Sequence, residues 1–446
     1  MSELVAGWGR TAATAATVER PTDAGRVVEL IGSAGSRGLV ARGLGRSYGD
    51  PAQNAGGLVL DLTGLDQVLS LDLEAGLVRV QAGVSLDALL RLVVPCGWFV
   101  PVTPGTRLVT IGGAIAADVH GKNHHRDGSF GQHVESFELA LADGSVTTVT
   151  PASDPELFWG TCGGMGLTGV LLTATLRLMR AATPLMRVDT VRAADLDELI
   201  AGLVDAEDRH RYSVAWIDTL ATGSRAGRGI ITSGEHASLD DVAERSRRSP
   251  AVYAPKVRAA APGWVPPGLL NRASIAAFNE TWFRKAPRNE VGALQSIGAF
   301  FHPLDGVRGW NRLYGPRGFL QYQCVVPDEA TLRTILGRLA AAKVPSFLAV
   351  LKRFGAASPG PLSFPRPGWT LAIDIPAATP GLGPVLDGID QLVADAGGSI
   401  YLAKDSRLRP ELLPDLYPQL PAWRLLRDRV DPDRRLVSDL SRRLSL

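Results

Sequence analysis

Three glycine-rich stretches within the first 172 residues constrain this chain more than any other feature. They read ARGLGRSYGD at 41–50, PGTRLVTIGGAIAADVHG at 104–121 and GGMGLTGVLL at 163–172. Glycine lets backbone N–H groups come close to phosphate oxygens and form anion-binding concavities. The stretches therefore predict a phosphate cradle, for which a set of tight turns is the plain alternative. Arginine and hydroxyl side chains that could supplement it are Arg42, Arg46, Ser47, Thr106 and Thr110.

The first stretch does not fit the dinucleotide fingerprint of a Rossmann fold. Its glycines have the spacing G-x-G-x-x-x-G, and Asp50-Pro51 follows where that fold requires an amphipathic helix. The Rossmann arrangement is therefore not supported.

Histidines are concentrated in one short segment. The chain has seven, and four of them fall within residues 120–133. His120 and His124 have the spacing of a helical metal pair, but the glycine and asparagine between them disfavour a helix, and no suitably spaced carboxylate or cysteine completes a set. A metal site is therefore not predicted. Two interpretations stay open: structural or surface histidines, or His120 and Lys122 beside a bound anionic or electron-rich ring.

Composition excludes several classes of protein. The 446 residues suffice for two domains, or for one domain with a large insertion, and a sizeable core. Because 47 basic side chains are balanced by 45 acidic ones, a nucleic-acid partner is not expected. The three cysteines are far apart and form no CxxC pair, which argues against a disulfide framework and a thiolate zinc site.

No targeting signal is recognisable in the sequence. The N-terminal segment MSELVAGWGRTAATAATVER lacks the basic and apolar regions of a secretory signal peptide. No uncharged apolar run approaches the roughly 18 residues of a membrane span. We therefore expect a cytoplasmic protein, with contact at a membrane surface as an open alternative.

The first part of the chain, residues 26–180, has the patterning of an α+β unit rich in hairpins. Alternating apolar and polar residues predict strands at 58–62, 68–73 and 77–83, and a hairpin over 136–150 with Asp143-Gly144 as its turn. A helix is predicted to begin after Ser85 and to stop at Pro95. Asp154-Pro155 predicts the start of another.

The pattern changes near residue 183. A helix over 194–209 and a strand over 213–218 are predicted, followed by a long irregular region over 220–317. Its middle, residues 249–290, mixes prolines, basic residues and large apolar side chains, so we expect no stable core strand there. A surface loop and a flap over an apolar substrate or membrane are both compatible with it.

Residues 319–404 have the β-α-β-β-α-β order of a split ferredoxin-like sheet. Alternation puts the apolar side chains on one face, where two helices can cover them, and polar groups on the other. These polar groups are costly to bury unless something bonds to them, so a second domain opposite would make this face a pocket wall. The residues of that face are Gln321, Gln323, Thr370, Ala372 and Asp374, with Lys352 and Lys404 near their strand ends. The C-terminal segment, residues 431–446, predicts a short, solvated basic helix.

The order and spacing of several motifs resemble a known family. They are ARGLGRSYGD, PGTRLVTIGGAIAADVHGKNHH, FWGTCGGMGLTG, FLQYQ, YLAKDSR and SDLSRRL. The chain is similar in them, over nearly its whole length, to the oxidative subunits of decaprenylphosphoryl-β-D-ribose 2-epimerase, which are flavoenzymes of the vanillyl-alcohol-oxidase type.

This resemblance implies an α+β fold in which a two-part domain binds FAD noncovalently. The FAD-binding domain would comprise residues 1–183 and 399–446, and an inserted substrate domain, residues 184–398, would be an antiparallel sheet covered by helices. The resemblance assigns the following residues to FAD: Arg42, Gly43, Leu44, Gly45, Arg46, Ser47, Tyr48, Gly49, Gly105, Thr110, Ile111, Gly112 and Gly113 at the diphosphate, Ala117, Asp118, Val119 and His120 along the isoalloxazine, and Val170, Leu171 and Tyr401 closing the site.

The resemblance also implies a reaction. The ribose 2-hydroxyl of a polyprenyl-phosphate pentose would be oxidised to a keto sugar, and a separate NADH-dependent reductase would complete epimerisation to the arabinose precursor of the cell wall. The resemblance leaves placement in the periplasm, at the cell envelope, as a further alternative. A hydride goes to the flavin while the hydroxyl proton needs an acceptor. The candidates for that acceptor are Lys404, Tyr48 and His120. The positions that match the substrate pocket are Lys122, Trp216, Gln321, Gln323, Lys352, Thr370, Ala372 and Asp374.

Three departures from the family pattern stand in the predicted substrate domain. Thr370 and Phe301 replace a common asparagine and a common tyrosine, and Ala372 replaces the cysteine that covalent nitroaromatic inhibitors attack in many members. We expect resistance to such capture. Two alternatives stay open: an FAD-dependent oxidase of a soluble sugar or alditol, and a nucleotide-binding module without catalysis.

Overall fold

The computed structural model describes residues 2–242 and 253–446. The strands up to residue 180 are β1 (Ser2–Ala6), β2 (Ala13–Glu19), β3 (Leu39–Arg42), β4 (Leu58–Asp61), β5 (Val68–Asp72), β6 (Leu77–Gln81), β7 (Trp98–Phe99), β8 (Val134–Ala140), β9 (Val146–Val149), β10 (Val170–Arg177) and β11 (Met179–Arg180). The later strands are β12 (Leu185–Ala193), β13 (Tyr212–Ile217), β14 (Gly229–His236), β15 (Ala259–Ala260), β16 (Asn289–Ser296), β17 (Val307–Arg308), β18 (Phe319–Val326), β19 (Ala349–Phe354), β20 (Gly368–Pro376) and β21 (Ser399–Ile400).

The α-helices lie between and after these strands. They are α1 (Ala24–Gly32), α2 (Leu86–Val93), α3 (Ile111–Ala116), α4 (His124–Asp127), α5 (Pro155–Thr161), α6 (Leu196–Arg209), α7 (Arg272–Lys285), α8 (Ile297–Phe301), α9 (Glu329–Ala341), α10 (Leu382–Asp395), α11 (Leu413–Leu416), α12 (Leu420–Val430) and α13 (Asp439–Leu444).

Two sheets organise the first part of the chain. One has the strand order β1-β2-β4-β3 and the other β5-β6-β10-β8-β9. The predicted hairpins are confirmed, since β5 pairs with β6 and β8 with β9, both antiparallel. The predicted caps are confirmed as well: the Ser85 hydroxyl accepts from the backbone N–H of Ala88, and the Asp154 carboxylate from that of Leu157. The three glycine-rich stretches thus lie between short strands and helices that local turns and helix caps stabilise.

An eight-stranded antiparallel sheet dominates the second part, in the order β16-β12-β14-β13-β19-β20-β18-β21. Its two halves have the same topology, because β12, β13, β14 and β16 are arranged like β18, β19, β20 and β21. The halves join edge to edge through β13 and β19, with Trp216 opposite Val350. The second half confirms the β-α-β-β-α-β order predicted from sequence. The duplication itself leaves no repeat in the sequence.

The prediction of an irregular region over 220–317 is wrong in part. That region contains β14, which pairs on both sides, and also α7 and β16. Pairing with distant strands stabilises β14, and such partners leave no local signal. Of the middle segment, 249–290, residues 249–252 lie outside the described residues. The rest contains α7 and the beginning of the edge strand β16.

Two differences concern the end of the chain. The last predicted strand of the ferredoxin-like unit ends at Ile400, so Lys404 lies in the following turn, where its N–H bonds to the Tyr401 carbonyl. The C-terminal helix α13 is not simply solvated, because Leu440 and Leu444 are fully buried. Arg443 on α13 also pairs with Asp50 and Asp405 at 2.8 Å each. The C-terminal segment therefore ties the first glycine-rich stretch to the turn that carries Lys404.

Candidate active site

A cavity of about 880 Å³ lies between the glycine-rich stretches and the polar face of the large sheet. Most of the predicted site residues line it. From the first part of the chain these are Arg42, Gly43, Leu44, Gly45, Arg46, Ser47, Tyr48, Gly105, Thr110, Gly112, Gly113, Ala117, Val119, His120, Lys122 and Leu171. From the second part they are Trp216, Gln321, Gln323, Lys352, Ala372, Tyr401 and Lys404.

Six of the predicted site residues do not line the cavity and lie behind the residues that form its wall. Gly49, Ile111, Asp118 and Val170 stand in the layer behind the glycine-rich stretches, and Thr370 and Asp374 are fully buried behind Gln323 and Gln321. Direct ligand contact by these six is therefore not supported. Hydrogen bonds account for the last two: Gln321 lies directly opposite Asp374 and donates to it, and Gln323, which lies opposite Ala372, donates diagonally to Thr370.

The first two glycine-rich stretches meet side by side at the cavity. A Cβ on Gly43 would lie 2.1 Å from Thr110 Oγ1, so only glycine allows this approach. Thr110 in turn caps α3 by accepting from the N–H of Gly113. Arg42 donates to the carbonyls of Ala52 and Ala6 at 3.0 and 2.8 Å. Arg42 therefore holds the conformation of its own loop. The positive charge that supplements the backbone N–H groups of the phosphate cradle must come from another arginine.

Arg46 is that arginine. Its guanidinium stacks on Trp8 at 3.8 Å from the ring centroid, and its Nε is buried without a hydrogen-bond partner. Burial lowers the pKa of Arg46, although an arginine remains charged in proteins. An unpaired cationic donor beside two glycine-rich loops is suited to an anionic group such as a diphosphate.

The segment from Ala117 to His120 forms one wall of the cavity and is held from both sides. The Tyr401 hydroxyl donates to the Ala117 carbonyl at 2.7 Å. Asp118 has a positive φ of 39° and its carboxylate accepts from Ser129, from Ser363 and from the N–H of Gly131. Because Ser363 belongs to the second part of the chain, Asp118 fastens this wall to the large sheet's side.

His120 is the centre of a polar network on this wall. Its Nε2 lies 3.0 Å from Gln323 Nε2, and its Nδ1 lies 3.0 Å from Lys352 Nζ. Burial, followed by repulsion from Lys352 and Lys404, holds the pKa of His120 well below its usual value. His124, in α4, packs on the same Phe354 ring as His120. No three histidine, cysteine or acidic side chains converge on a metal site within residues 2–242 and 253–446.

Lys404 lies between two tyrosines at the floor of the cavity. Its Nζ is 5.7 Å from the centroid of Tyr48 and 5.9 Å from that of Tyr401. Burial lowers the pKa of Lys404, while attraction to Asp374 opposes this shift. Burial also raises the pKa of Asp374, which the hydrogen bond from Gln321 and the charge of Lys404 oppose. The amine can therefore lose its proton near neutral pH.

Comparisons with known proteins fit this geometry. A family model for an FAD binding domain matches residues 15–150. Decaprenylphosphoryl-beta-D-ribose oxidase of Mycolicibacterium smegmatis is 44% identical over 99% of this chain and 97% of its own length. The chain belongs to this oxidase family. Its membership confirms the sequence-based identification and FAD as the cofactor.

Two more distant likenesses extend over most of the chain. L-gulono-1,4-lactone dehydrogenase of Mycobacterium tuberculosis is 24% identical over the whole chain and 99% of its own length. The crystal structure of 6-hydroxy-D-nicotine oxidase from Arthrobacter nicotinovorans superposes with a TM-score of 0.64 at 18% identity, covering 94% of this chain and 90% of that one. The structural superposition, together with the match to the FAD binding domain, confirms the α+β fold of a vanillyl-alcohol-oxidase-type flavoprotein.

The residues present fit FAD. The touching glycine-rich loops and the unpaired Arg46 would hold its diphosphate, and the wall from Ala117 to His120, with Tyr401 behind it, would hold its ring. Leu171 also lines this cavity.

Several residues that line the cavity were not predicted from the sequence. Trp8, Phe278, Trp282 and Phe300 all face the cavity. Phe278 and Trp282 stack on α7 with ring centroids 6.0 Å apart. Their i, i+4 spacing was the available signal for a helix, and the surrounding prolines concealed it. Phe301, one of the three departures, and Phe300 also close the cavity near Lys122, whose Nζ lies 4.1 Å from the Phe300 centroid.

Proposed function

We propose that this protein uses FAD to oxidise the 2-hydroxyl of decaprenylphosphoryl-β-D-ribose to the 2-keto sugar, the first half of epimerisation to the arabinose donor for cell-wall arabinan. The observation that carries the proposal is the convergence of Lys122, Lys352 and Lys404 on one cavity. Lysines are compact point charges that suit a phosphate. Burial lowers the pKa of Lys122 to about 7, so the phosphate of a lipid-linked sugar would favour the charged form of this amine, whereas a neutral sugar would not.

FAD, when bound, supplies the hydride acceptor for the carbon that carries the hydroxyl. The chain supplies the proton acceptor and the positioning groups. We assign the acceptor to the unprotonated amine of Lys404, which would take the hydroxyl proton and become an ammonium next to Asp374. Buried oxygen atoms without partners, Gln321 Oε1 and Gln323 Oε1, would accept hydrogen bonds from the other sugar hydroxyls. Tyr48 would help to orient the reacting group beside Lys404.

Oxidation of a soluble sugar or alditol is the second candidate. The full-length likeness to L-gulono-1,4-lactone dehydrogenase favours it. The buried Lys122 disfavours it, because a neutral substrate offers its ammonium group no counter-charge.

Membrane contact and a second enzyme are further parts of the proposal. Residues 253–286 present exposed apolar side chains and have five basic residues against one acidic, Glu280. Those exposed side chains are Val257, Trp264, Leu269, Phe278 and Trp282. Since α7 also lines the cavity, this apolar and basic segment would lie on an anionic membrane surface and receive the lipid-linked substrate from it. No helix among the described residues is long and apolar enough to cross a membrane.

After the oxidation, a separate NADH-dependent reductase would reduce the keto sugar.

Anaerobic mixing of the FAD-loaded protein with the lipid-linked ribose tests the function. We expect rapid bleaching of the visible flavin absorbance with this substrate and none with soluble pentoses or alditols. Bleaching by a soluble sugar alone would favour the second candidate, and no bleaching by any of these sugars would contradict both.

A further inference from the structure

A buried chain of hydrogen bonds connects the backbone of β18 to the cavity. The Thr370 Oγ1 lies 2.9 Å from the Cys324 carbonyl oxygen and 2.9 Å from Gln323 Nε2. The same Nε2 lies 3.0 Å from His120 Nε2, and His120 Nδ1 lies 3.0 Å from Lys352 Nζ. Five groups are thus linked in series, and each donor must meet an acceptor.

The direction of the chain follows from the group at its buried end. A carbonyl oxygen can only accept, so the single Thr370 hydroxyl proton points to Cys324. The lone pairs of the Thr370 oxygen then face Gln323, which must present its NH₂ group rather than its oxygen. One hydrogen of that NH₂ goes to Thr370 and the other to His120 Nε2. His120 Nε2 is therefore an acceptor and carries no proton.

This leaves the proton of the neutral imidazole on Nδ1, where it faces Lys352. Two donors cannot bond to each other, so Lys352 accepts this proton's hydrogen bond with the lone pair of an uncharged amine, and one of its own N–H groups donates to the Gly121 carbonyl oxygen at 3.3 Å. The surroundings agree with that state: the titratable groups near Lys352 are His120, His124, Lys122 and Lys404, and no carboxylate within the described part of the chain pairs with it. Burial, with repulsion from Lys404 and Lys122, lowers the pKa of Lys352 well below its usual value.

We propose that Thr370 is a positioning residue that sets the donor and acceptor pattern of the cavity wall. Through the Gln323 amide it keeps His120 protonated on Nδ1, leaves Gln323 Oε1 as an acceptor toward the sugar, and keeps Lys352 as a neutral amine whose N–H groups donate to the substrate. The inference extends the proposed function, because it leaves Lys404 as the amine free to accept the hydroxyl proton. It concerns the protein without substrate and can be tested separately.

The test uses ¹⁵N-histidine-labelled, FAD-loaded protein, in which the chemical shifts of the two ring nitrogens distinguish the tautomers. His120→Gln identifies the His120 signals. We expect His120 of the native protein and of Thr370→Ser to be neutral with the proton on Nδ1. Thr370→Val keeps the shape but removes the hydroxyl, so the amide can rotate, its oxygen can accept from Nε2–H, and the Nδ1 signal should move to that of an unprotonated nitrogen.

The variant Lys352→Met distinguishes control of the His120 tautomer by Thr370 from control by a charged Lys352. If Thr370 governs the tautomer, His120 keeps its Nδ1 proton in this variant. If instead a charged Lys352 governs it by donating to Nδ1, the native protein shows the Nε2–H tautomer and Lys352→Met changes it, which overturns the proposal. Identical spectra for the native protein and Thr370→Val would overturn it as well. Neither readout requires turnover, so a failure here is distinct from a failure of the proposed function.

Discussion

Lys404 and Tyr48 come together from opposite ends of the chain, with the lysine Nζ 5.7 Å from the centroid of the tyrosine ring. The Tyr48 backbone N–H also bonds to the Ala403 carbonyl at 3.0 Å. The first glycine-rich stretch and the turn after β21 are thus fastened together at the residues that we propose to act on the substrate. This relationship explains why the C-terminal segment, although remote in sequence, contributes to the candidate active site.

Replacing Lys404 should abolish most of the chemistry while leaving FAD bound. In Lys404→Met the proton acceptor is lost, so the rate of flavin reduction by the lipid-linked ribose should fall by about 10²- to 10⁴-fold. Stopped-flow absorbance under anaerobic conditions measures this rate. The matched control is Lys343→Met, at an exposed lysine after α9, which should reduce its flavin at the native rate. Unchanged reduction in Lys404→Met would remove the assignment.

The pH dependence of the same rate follows from the state of Lys404. Burial lowers the pKa of this amine from 10.5 to about 8. Only the unprotonated amine can accept the hydroxyl proton, so the rate of flavin reduction should rise as the pH increases through about 8 and then level off. Measurement with saturating substrate excludes effects on binding. A rate that is flat over this range, or that falls as the pH rises, would contradict a lysine acceptor.

Breaking the links made by Arg443 should weaken both the fold and FAD binding. Arg443 pairs with Asp50 and with Asp405, and Asp405 is almost fully buried. Arg443→Leu should lower the free energy of unfolding by about 1–3 kcal/mol, because buried carboxylate oxygens lose charged donors. FAD affinity should fall too, since Asp50 ends the first glycine-rich stretch. Denaturant unfolding and FAD titration measure the two effects.

A surface arginine provides the control for that change. Arg429 pairs with Asp154 and Glu156 but is half exposed, so Arg429→Leu should cost no more than about 1 kcal/mol. Equal losses in the two variants would mean that the position of Arg443 between Asp50 and Asp405 has no special importance.

Sequence revealed what is local and missed what depends on distant pairing. Ser85 and Asp154 announce helices through their own hydroxyl and carboxylate, and alternation placed Gln321 and Gln323 on the polar side of β18 correctly. By contrast, β14 is a strand because β12 and β13 flank it, and nothing in residues 229–236 alone encodes those partners. Thr370 shows the same limit within the site. Its side of the strand was predictable, but its position behind Gln323 depends on how far each side chain reaches.

The aromatic pair on α7 leads to a prediction about membranes. Phe278 and Trp282 are each nearly half exposed, at 43% and 45%, although both also line the cavity. If their outer surfaces rest in a lipid interface, the double variant Phe278→Ala/Trp282→Ala should bind anionic phosphatidylglycerol vesicles about tenfold more weakly or worse, because each ring loses apolar contact. Co-sedimentation of the full chain with vesicles measures this. Leu425→Ala, at a residue 69% exposed on α12, should bind like the native protein.

Binding of the native protein to the vesicles should also decline at high salt and be weak on neutral phosphatidylcholine, since the basic side chains of residues 253–286 contribute by charge. Equal binding of the double variant and the native protein would exclude α7 as the contact, and would leave the lipid-linked substrate without this route into the cavity.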